Sequence, residues 1–460
     1  MIKKYAFPYR LIQQQEQQLT RQEQQLTQQH RRITIQERQL EFASKTLEPY
    51  LLDIELAKKK SGSSIRTLFE ESVPLKNDLI LERYRLNSGF VSGINSVFPG
   101  SGFIDFHQQN LVVLSARGVL AFSPGDRSGL GTFTQIRTNI HDFIDKGQFS
   151  KGRWFSIKDI LIVGNQIFVS LTSEIKENCW NLSLLVGNVD YENIEFRNLF
   201  SPEECVSAID IVDKFNAHQS GGRIASFDEQ HVLMSIGDFR SRSLPQDVTS
   251  VYGKIIKVNV NDGSFQLVSI GHRNPQGLYY DKEERIIIST EHGPEGGDEI
   301  NIIDLKKTDR GNLLNFGWPI SSYGEHYGGN TIKNRKQYSR YPLHKSHKKY
   351  GFIEPAKIFV PSVGISEIVK IGDKKYVAGS MDGRTIFFLK LDEQLKTNIE
   401  LEVNVSERIR DLVVKDRRLF LFLEDTASIG LIRLAENQSK LSNMRLPARK
   451  ADEAAPLMIR

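Results

Sequence analysis

Short apolar runs separated by small or polar bends dominate the chain from about residue 86 onward. Six passages share one form, in which an apolar run, a bend and a second apolar run follow one another. They begin at Asn110, Gln166, His231, Arg285, Lys374 and Arg418. Runs of this length bounded by Gly, Asn and Asp predict the paired strands of antiparallel sheets.

Repetition of one small sheet is typical of a fold in which similar sheets close into a ring and leave few exposed edges. The six passages therefore predict an all-β fold, a six-bladed β-propeller of four-stranded antiparallel sheets over residues 86–434. A pair of β-sandwiches is the competing interpretation of so many short strands.

The first 64 residues follow a different pattern. Apolar residues recur every seventh position in a sequence rich in Gln, Glu and Arg, at Ile12, Leu19, Leu26, Ile33, Leu40 and Leu47. This spacing predicts one long N-terminal helix, followed by a linker at 58–64. The companion core position is Gln or Glu, whereas a stable coiled coil needs two apolar positions per heptad. We therefore expect a solvated helix that can self-associate weakly or lie on the main domain.

Composition excludes several classes of protein. Lys and Arg number 61 against 56 for Asp and Glu, which is too small a bias to indicate nucleic-acid binding. No run approaches the ~20 apolar residues that span a membrane. The N-terminus is basic but lacks the apolar stretch of a signal peptide, so none is visible. Two cysteines allow at most one disulfide, and we expect the polar tail 437–460 to be disordered.

One loop is strongly basic. Residues 331–349 carry seven Lys or Arg and no acid. This segment is either a solvated insertion or a basic lip that attracts an acidic sugar or a phosphate.

Two bends rich in fixed charges, "GHRNPQG" at 271–277 and "EHGPEGGDE" at 291–299, flank the predicted strand "RIIIST". They indicate either a site built on loops or a pair of hydrogen-bonded turns. Together with "AHQSGGRIA", "YGKIIKVN", "NFGWP" and "RIRD", in their order along the chain, they resemble the soluble sugar dehydrogenases that use pyrroloquinoline quinone (PQQ), the glucose/sorbosone and aldose sugar dehydrogenase family. The resemblance implies a propeller with PQQ and calcium in a cleft at one end, a sugar substrate, and a periplasmic or extracellular location.

The resemblance gives roles to three residues of the reaction centre. His218 would be the base, since a neutral imidazole accepts a proton near pH 7. Arg273 and Asn274 would lie near the quinone oxygens, where a guanidinium stabilises developing negative charge. The alternative is that these side chains only tie turns together, which is also the role we assign to His272.

Further residues are implied as ligands of the cofactor and metal. Calcium takes oxygen ligands, often backbone carbonyls, and the family places such carbonyls at Gly293 and Pro294. By resemblance Asp298 and Glu299 bind a second, structural calcium, with a hydrogen-bonded bend as the alternative and Glu325 as a loose further ligand. Arg408 and Arg410, two apart on a predicted strand, share one face and can grip the carboxylates of PQQ. The alternative for this pair is a salt bridge to Asp411 or to a neighbouring blade.

The sequence also departs from the family. Asp382 stands where the family has a cofactor-binding Lys, which reverses the sign of that contact. The cofactor floor reads "FVPSVGIS", with Val360 and Ser362. The passage that supplies a quinone-contacting Gln appears as "KGRWFSIKD", without a clear counterpart.

Two hypotheses about function follow. The first is a calcium- and PQQ-dependent oxidoreductase that oxidises the anomeric hydroxyl of an aldose. The second is a degenerate propeller that binds a carbohydrate or a protein without redox chemistry, which Asp382 and the absent Gln favour. A zinc hydrolase using His218 and His292 has no metal-type His spacing to support it.

Overall fold

The computed structural model describes residues 64–86, 101–116, 118–123, 129–144, 157–209, 215–308, 313–329 and 331–434. The helix predicted within residues 1–64 lies outside these ranges apart from Ser64, and so does the predicted tail 437–460. No helix in the described ranges is long and apolar enough to cross a membrane.

The described strands, numbered in chain order, form six sheets. Blade 1 contains β4 (Gly102–His107), β5 (Asn110–Ser115), β6 (Leu120–Ser123) and β7 (Thr132–Thr138), with β1 (Ser64–Arg66) and β11 (Asn193–Ile194) paired to β7. Blade 2 contains β8 (Ile157–Val163), β9 (Gln166–Lys176), β10 (Cys179–Asn188) and β12 (Arg197–Phe200), with β13 (Val206–Ser207) paired to β10. Blade 3 contains β14 (Gly221–Ser226), β15 (His231–Ile236), β16 (Lys254–Asn259), β17 (Phe265–Ile270) and β21 (Leu314–Asn315).

Blade 4 contains β18 (Pro275–Asp281), β19 (Ile286–Glu291), β20 (Asp298–Asp304) and β22 (Lys357–Phe359). Blade 5 contains β23 (Ile365–Gly372), β24 (Lys375–Ser380), β25 (Thr385–Leu391) and β26 (Thr397–Asn404). Blade 6 contains β27 (Ile409–Lys415), β28 (Arg418–Leu423), β29 (Ser428–Arg433), β3 (Ile80–Arg85) and β2 (Leu68–Pro74). Two short helices, α1 (Leu305–Thr308) and α2 (Arg335–Arg340), lie in connecting segments.

The prediction of six blades is confirmed, and each of the six repeated passages forms the central strand pair of one blade. The predicted start at residue 86 is wrong, because β2 and β3 precede it. Strand β3 pairs antiparallel with β29, so the two ends of the described chain share one sheet and close the ring. The sheets also carry extra edge strands, since only blades 4 and 5 have four strands each.

Apolar side chains cover both faces of the blades. Buried clusters fill each junction between neighbouring blades, and examples are Ile157 with Phe103 between blades 1 and 2, and Phe420 with Ile104 between blades 6 and 1. Because each blade is buried on both sides, its strands read as near-continuous apolar runs. The two cysteines form a disulfide, Cys179 to Cys205, which ties the start of β10 to the chain just before β13.

The innermost strands surround a buried set of charges on the axis of the ring. These strands are β4, β8, β14, β18, β23 and β27, and each contacts the next. Arg223 on β14 lies among three carboxylates from other blades, with its Nη1 3.0 Å from Asp159 and 2.8 Å from Asp411, and its Nε 3.2 Å from Glu367. Its Nε also donates to the carbonyl of Gln276 (2.7 Å), and its Nη2 donates to that of Arg410 (2.6 Å).

The same three acids, together with Asp105 on β4, join neighbouring blades. Asp411 accepts the backbone N–H of Ile104, and Asp159 accepts that of Ile224. Asp105 and Glu367 make equivalent bonds to blades 2 and 4. Burial raises the pKa of both Asp105 and Glu367 to about 7. The hydrogen bonds and ion pairs of these buried side chains therefore hold the six inner strands in register. They also fix the backbone at the floor of the site described next.

Candidate active-site cleft

A cleft of about 550 Å³ opens at the end of the ring where the six innermost strands begin. Residues at or beside the first position of each inner strand line it, and these are Phe103, Lys158, Gly221, Gln276, Gly364 and Arg408. The site residues predicted from the sequence that also line it are His218, Arg273, Asn274, Gly293, Pro294, Asp298 and Arg410. Asp382 lines the cleft, whereas Glu299 does not.

His218 lies in a 3₁₀ turn, Ala217–Gln219, that leads into β14. The Asn216 side chain caps this turn by accepting the backbone N–H of His218 at 2.8 Å. Partial burial, followed by the positive charges of Lys158 and Arg410, lowers the pKa of His218 to about 3. Its imidazole is therefore neutral at physiological pH.

Arg273 is fixed on several sides although it lines the cleft. Its Nη1 donates to the carbonyl of His292 (2.8 Å), and its Nη2 donates to the hydroxyl of Tyr327 (3.2 Å). The guanidinium lies 5.3 Å from the ring centre of Trp318, within the range of a cation–π contact. Behind it, Glu291 accepts the backbone N–H of Arg273 at 2.8 Å. A buried guanidinium held in this way is preorganised to face negative charge.

Asn274 joins two inner strands. Its Oδ1 accepts the backbone N–H of Gly221 (3.1 Å) and the side-chain amide of Gln276 (3.0 Å). His292 also lines the cleft, with its Nε2 2.7 Å from the carbonyl of Ile365, and burial lowers its pKa. His272 is fully buried between Ser269 and Glu291, as its predicted structural role requires. The two bends thus contain both kinds of residue, some facing the cleft and others bonded behind it.

Arg408 and Arg410 share one buried carboxylate. The Nε of Arg408 is 3.0 Å from Glu424, and the Nη2 of Arg410 is 2.6 Å from the same group. Burial acts to raise the pKa of Glu424, but Arg410 and Arg408 outweigh it and the pKa lies below its usual range. Two guanidiniums against one carboxylate leave a net positive charge, so the pair has charge available for an anion in the cleft. The partner is Glu424 rather than Asp411.

Both carboxylate oxygens of Asp298 accept hydrogen bonds from backbone N–H groups. Its Oδ2 accepts the N–H groups of Val363 (3.0 Å), Gly364 (2.7 Å) and Ile365 (3.1 Å), and its Oδ1 accepts that of Gly293 (3.1 Å). A carboxylate with four such donors is a poor calcium ligand. Asp298 instead fixes the Gly293–Pro294 turn against the start of blade 5, as in the hydrogen-bonded alternative.

Glu299 faces away from the cleft into a buried polar cluster. Its carboxylate lies 3.5 Å from His347 Nε2 and accepts from the Asn301 amide at 3.2 Å. Burial, and then the negative charge of Glu291, raise its pKa well above the usual range. Glu325 is engaged by Lys345 and Tyr338. The carboxylate of Glu299 is engaged by Asn301 and lies beside His347, and among the described residues no three acidic, His or Cys side chains are grouped around a common point.

Asp382 is exposed at the rim of the cleft, in the turn after β24. Arg384, its nearest cation in sequence, turns away and lies 3.3 Å from Asp425. Within the described ranges no ion pair neutralises Asp382. The departure from the family noted in the sequence therefore faces the cleft as a carboxylate open to solvent.

Three residues of the cleft were missed by the sequence analysis. Lys158 lines its floor from blade 2, Gln276 touches both Asn274 and Arg410, and Tyr327 presents a half-exposed ring beside Arg273. Lys158 lies in "KGRWFSIKD", the passage in which the family resemblance implies a Gln. The available signal was a Lys at the start of an apolar strand, where an inward-facing charge is unusual.

Comparison with known proteins identifies a family and several relatives. The family described as glucose/sorbosone dehydrogenase matches residues 167–433. Aldose sugar dehydrogenase YliI of Escherichia coli is 30% identical over 129 residues, which cover 25% of this chain and 33% of that protein. Quinoprotein glucose dehydrogenase B of Acinetobacter calcoaceticus is 29% identical over 293 residues, which cover 46% of this chain and 59% of that protein. The chain thus spans less than two thirds of either relative.

The crystal structure of the soluble aldose sugar dehydrogenase of E. coli, in its apo form, superposes with a TM-score of 0.56 and 17% identity, over 72% of this chain and 95% of that chain. Identity this low supports the fold alone. The family match covers more than half of the chain, from β9 to the last strand of blade 6. This chain belongs to the glucose/sorbosone dehydrogenase family.

Proposed function

We propose that the protein is a PQQ- and calcium-dependent dehydrogenase that oxidises the anomeric hydroxyl of an aldose. One observation carries the proposal: His218, Arg273, Asn274, Arg408 and Arg410 line a single cleft although they lie up to 192 positions apart in the sequence. Names of family relatives, an aldose sugar dehydrogenase and a quinoprotein glucose dehydrogenase, agree with it.

The residues of the cleft fit an anionic, planar cofactor. Ligand sites commonly measure ~300–1,000 Å³, and this cleft measures about 550 Å³. PQQ carries three carboxylates, and guanidiniums bind carboxylates bidentately. Arg273, Arg408 and Arg410 would supply these contacts, while the exposed ring of Tyr327 offers a flat surface at one side.

Calcium would be held by backbone oxygens. The Gly293–Pro294 turn lines the cleft, and a Cβ added to Gly293 would lie 2.1 Å from the carbonyl oxygen of Gly297, so only glycine permits this tight turn. Because both oxygens of Asp298 already accept backbone N–H groups, we propose the carbonyls of Gly293 and Pro294 as the protein ligands. The remaining oxygen ligands that calcium requires would come from the cofactor and water.

PQQ, when bound, supplies the two-electron acceptor for the hydride that leaves the sugar. The protein must take the hydroxyl proton, and His218 is the neutral base of the cleft. Anions bound beside Lys158 and Arg410 offset the charges that depress the pKa of His218, which makes the imidazole a stronger base in the loaded protein than in the empty one. Arg273 would stabilise the negative charge that develops on the acceptor.

The second candidate is a propeller that binds a carbohydrate without redox chemistry. The exposed carboxylate of Asp382 at the rim favours it, because an anion there repels an anionic cofactor. The cations on the floor of the cleft favour the enzyme.

Reconstitution distinguishes the two candidates. Titration of the purified protein with PQQ in the presence of calcium is expected to give saturable binding, seen as a change in the absorbance of the cofactor, and dehydrogenase activity with an aldose. An Arg410→Gln variant should bind markedly more weakly, whereas Arg433→Gln, on the exposed face of blade 6, should bind as the wild type does. Carbohydrate binding without any PQQ binding would establish the second candidate.

Replacement of Asp382 by lysine should tighten PQQ binding by about tenfold. In water, two unit charges 4 Å apart interact by ~1 kcal/mol, and reversing a charge doubles that change. Salt screening at an exposed site reduces it again, to about the 1.4 kcal/mol that corresponds to tenfold. The measurement is the dissociation constant of PQQ with calcium present, at two salt concentrations.

The matched control is Asp373→Lys, an exposed acid in the β23–β24 hairpin at the opposite end of the ring. It should leave the dissociation constant unchanged. An unchanged constant in Asp382→Lys itself, with tight wild-type binding, would mean that Asp382 does not face the cofactor. Binding that appears only in Asp382→Lys would favour the non-catalytic candidate.

A further inference from the structure

Lys158 is an amine built into the floor of the cleft. It is the second residue of β8, is 9% exposed, and lies with its Nζ 3.3 Å from the carbonyl of Ala217, next to His218. Lysine is rarely buried unless its charge has a use or a partner. A buried lysine beside the proposed base therefore requires an explanation that the roles assigned above do not include.

The neighbouring strand makes room for this side chain. Gly222 on β14 has φ +112°, and a Cβ added there would lie 2.3 Å from Lys158 Cβ and 2.9 Å from its Cγ. The stem of Lys158 therefore occupies the space that any other residue at position 222 would fill. A glycine that both adopts a left-handed conformation and admits a lysine stem indicates a defined position for the amine.

The charges around Lys158 are mainly positive on the cleft side. Arg410 reaches it from β27 and His218 from the turn before β14, while Phe103 on β4 is apolar. The adjacent acid, Asp159, faces the axis and pairs with Arg223. Burial, and then Arg410, lower the pKa of Lys158 to about 7. A cation placed beside other cations gains most from an anion in the cleft.

We propose that Lys158 is a cofactor-binding residue, which with Arg410 binds the anionic cofactor from blade 2 and compensates for the acid at position 382 in blade 5. This inference rests on the proposed function. The cation missing from one side of the cleft is then supplied from the opposite arc of the ring, where the sequence has no counterpart of the expected Gln.

The proposal predicts proton-linked binding. An anion favours the charged form of the amine and raises its pKa in the complex. At pH 6 the amine of the empty cleft is already charged, so binding takes up no proton. At pH 8.5 the amine is largely neutral, so binding must take up one, and the affinity falls. The bound anion itself changes little over this range, because carboxylates titrate near pH 4.

The experiment measures PQQ dissociation constants by calorimetry with calcium at pH 6.0, 7.0 and 8.5, for the wild type, Lys158→Met and Lys158→Arg. Wild-type affinity should fall about tenfold from pH 6.0 to 8.5, the size expected from a pKa near 7. Lys158→Met should bind about tenfold more weakly at pH 6.0 and lose most of the pH dependence. Lys158→Arg, always charged, should keep the affinity and also lose the pH dependence.

Lys257→Met is the matched control, since Lys257 packs over Phe227 on an outer part of blade 3. Asp105 and Glu367 also titrate near pH 7, but they are present in every variant and cancel in the comparison. Wild-type binding with the same affinity and pH dependence as Lys158→Met would overturn this inference alone. Absence of PQQ binding to the wild type at every pH would overturn the proposed function, and the inference with it. If Lys158→Met fails to fold, the wild type is compared with Lys158→Arg alone. The inference is then overturned if the PQQ dissociation constants of the two proteins depend on pH to the same extent.

Discussion

Replacement of His218 by glutamine is expected to lower kcat for aldose oxidation by about 10²–10⁴-fold, the usual contribution of a positioned general base. Glutamine keeps the polarity and much of the volume of the imidazole but cannot accept the proton. The cofactor contacts we propose come from other residues, so PQQ should bind to His218→Gln as to the wild type. A fall in kcat without a change in the PQQ dissociation constant is the signature of a lost base.

The control for this prediction is His231→Gln, on β15 of blade 3, where the His231 side chain pairs with Asp228 in a surface turn. Its kcat should equal that of the wild type. Retention of wild-type kcat in His218→Gln would assign the base to another group of the cleft. Burial, the first cause of the low pKa of His218, persists when the cofactor is bound, so the acid loss of kcat/KM from this group should begin at a lower pH than the value of about 6.5 at which an imidazole of ordinary pKa loses activity.

The sequence predicts the architecture well because the blade is a local unit. Each central strand pair, such as β9–β10, joins adjacent apolar runs through one short bend, so its pairing is readable from the pattern alone. The prediction fails at β3, which pairs with β29 across some 350 positions of sequence, and at β2, which pairs with β3 at the edge of the same sheet. No local pattern encodes that contact, and these strands are rich in charge because much of their surface is exposed.

The sequence motifs predict several residues that line the cleft, but they do not predict the contacts of every side chain there. His218, Arg273 and Arg410 were placed by resemblance, since their motifs are short and specific. Asp298 has the residue type of a metal ligand, but whether a carboxylate faces an ion or a set of N–H donors depends on a loop 65 positions later in the chain. Lys158 was missed because its meaning depends on Gly222, which a sequence presents only as part of a bend.

The charges on the axis connect the fold to the cleft. Arg223 donates to the carbonyl of Arg410, whose side chain lines the cleft, and to that of Gln276, which contacts Asn274. A change on the axis therefore reaches β18 and β27, the two strands beside the cofactor-binding residues that we propose. It also removes the positive charge that three buried acids share, since Arg223 is the cation that contacts Asp159, Glu367 and Asp411.

Replacement of Arg223 by methionine should lower the free energy of unfolding by about 3–5 kcal/mol at pH 8, the usual cost of removing one partner of a buried ion pair. Methionine fills part of the volume but leaves three buried carboxylates without their cation. Two backbone carbonyls, of Gln276 and Arg410, also lose a donor. The measurement is guanidinium-induced unfolding at pH 8.0 and pH 5.5.

The cost should be smaller at pH 5.5, and the sign follows from linkage. In the wild type Asp105 and Glu367 have folded pKa values of about 7, above the unfolded values near 4. Between these values the folded state binds more protons than the unfolded state, so these groups lower stability as the pH rises. Arg223 lowers the pKa of Glu367, Asp159 and Asp411. Loss of Arg223 therefore raises these three pKa values further, and the fall in stability with rising pH extends to higher pH.

The control is Arg433→Met, at an exposed pair with Glu82, which should cost at most ~1 kcal/mol at either pH. An Arg223→Met variant that matches Arg433→Met, or whose cost is the same at both pH values, would contradict a charged axis and leave the buried acids neutral in the native protein.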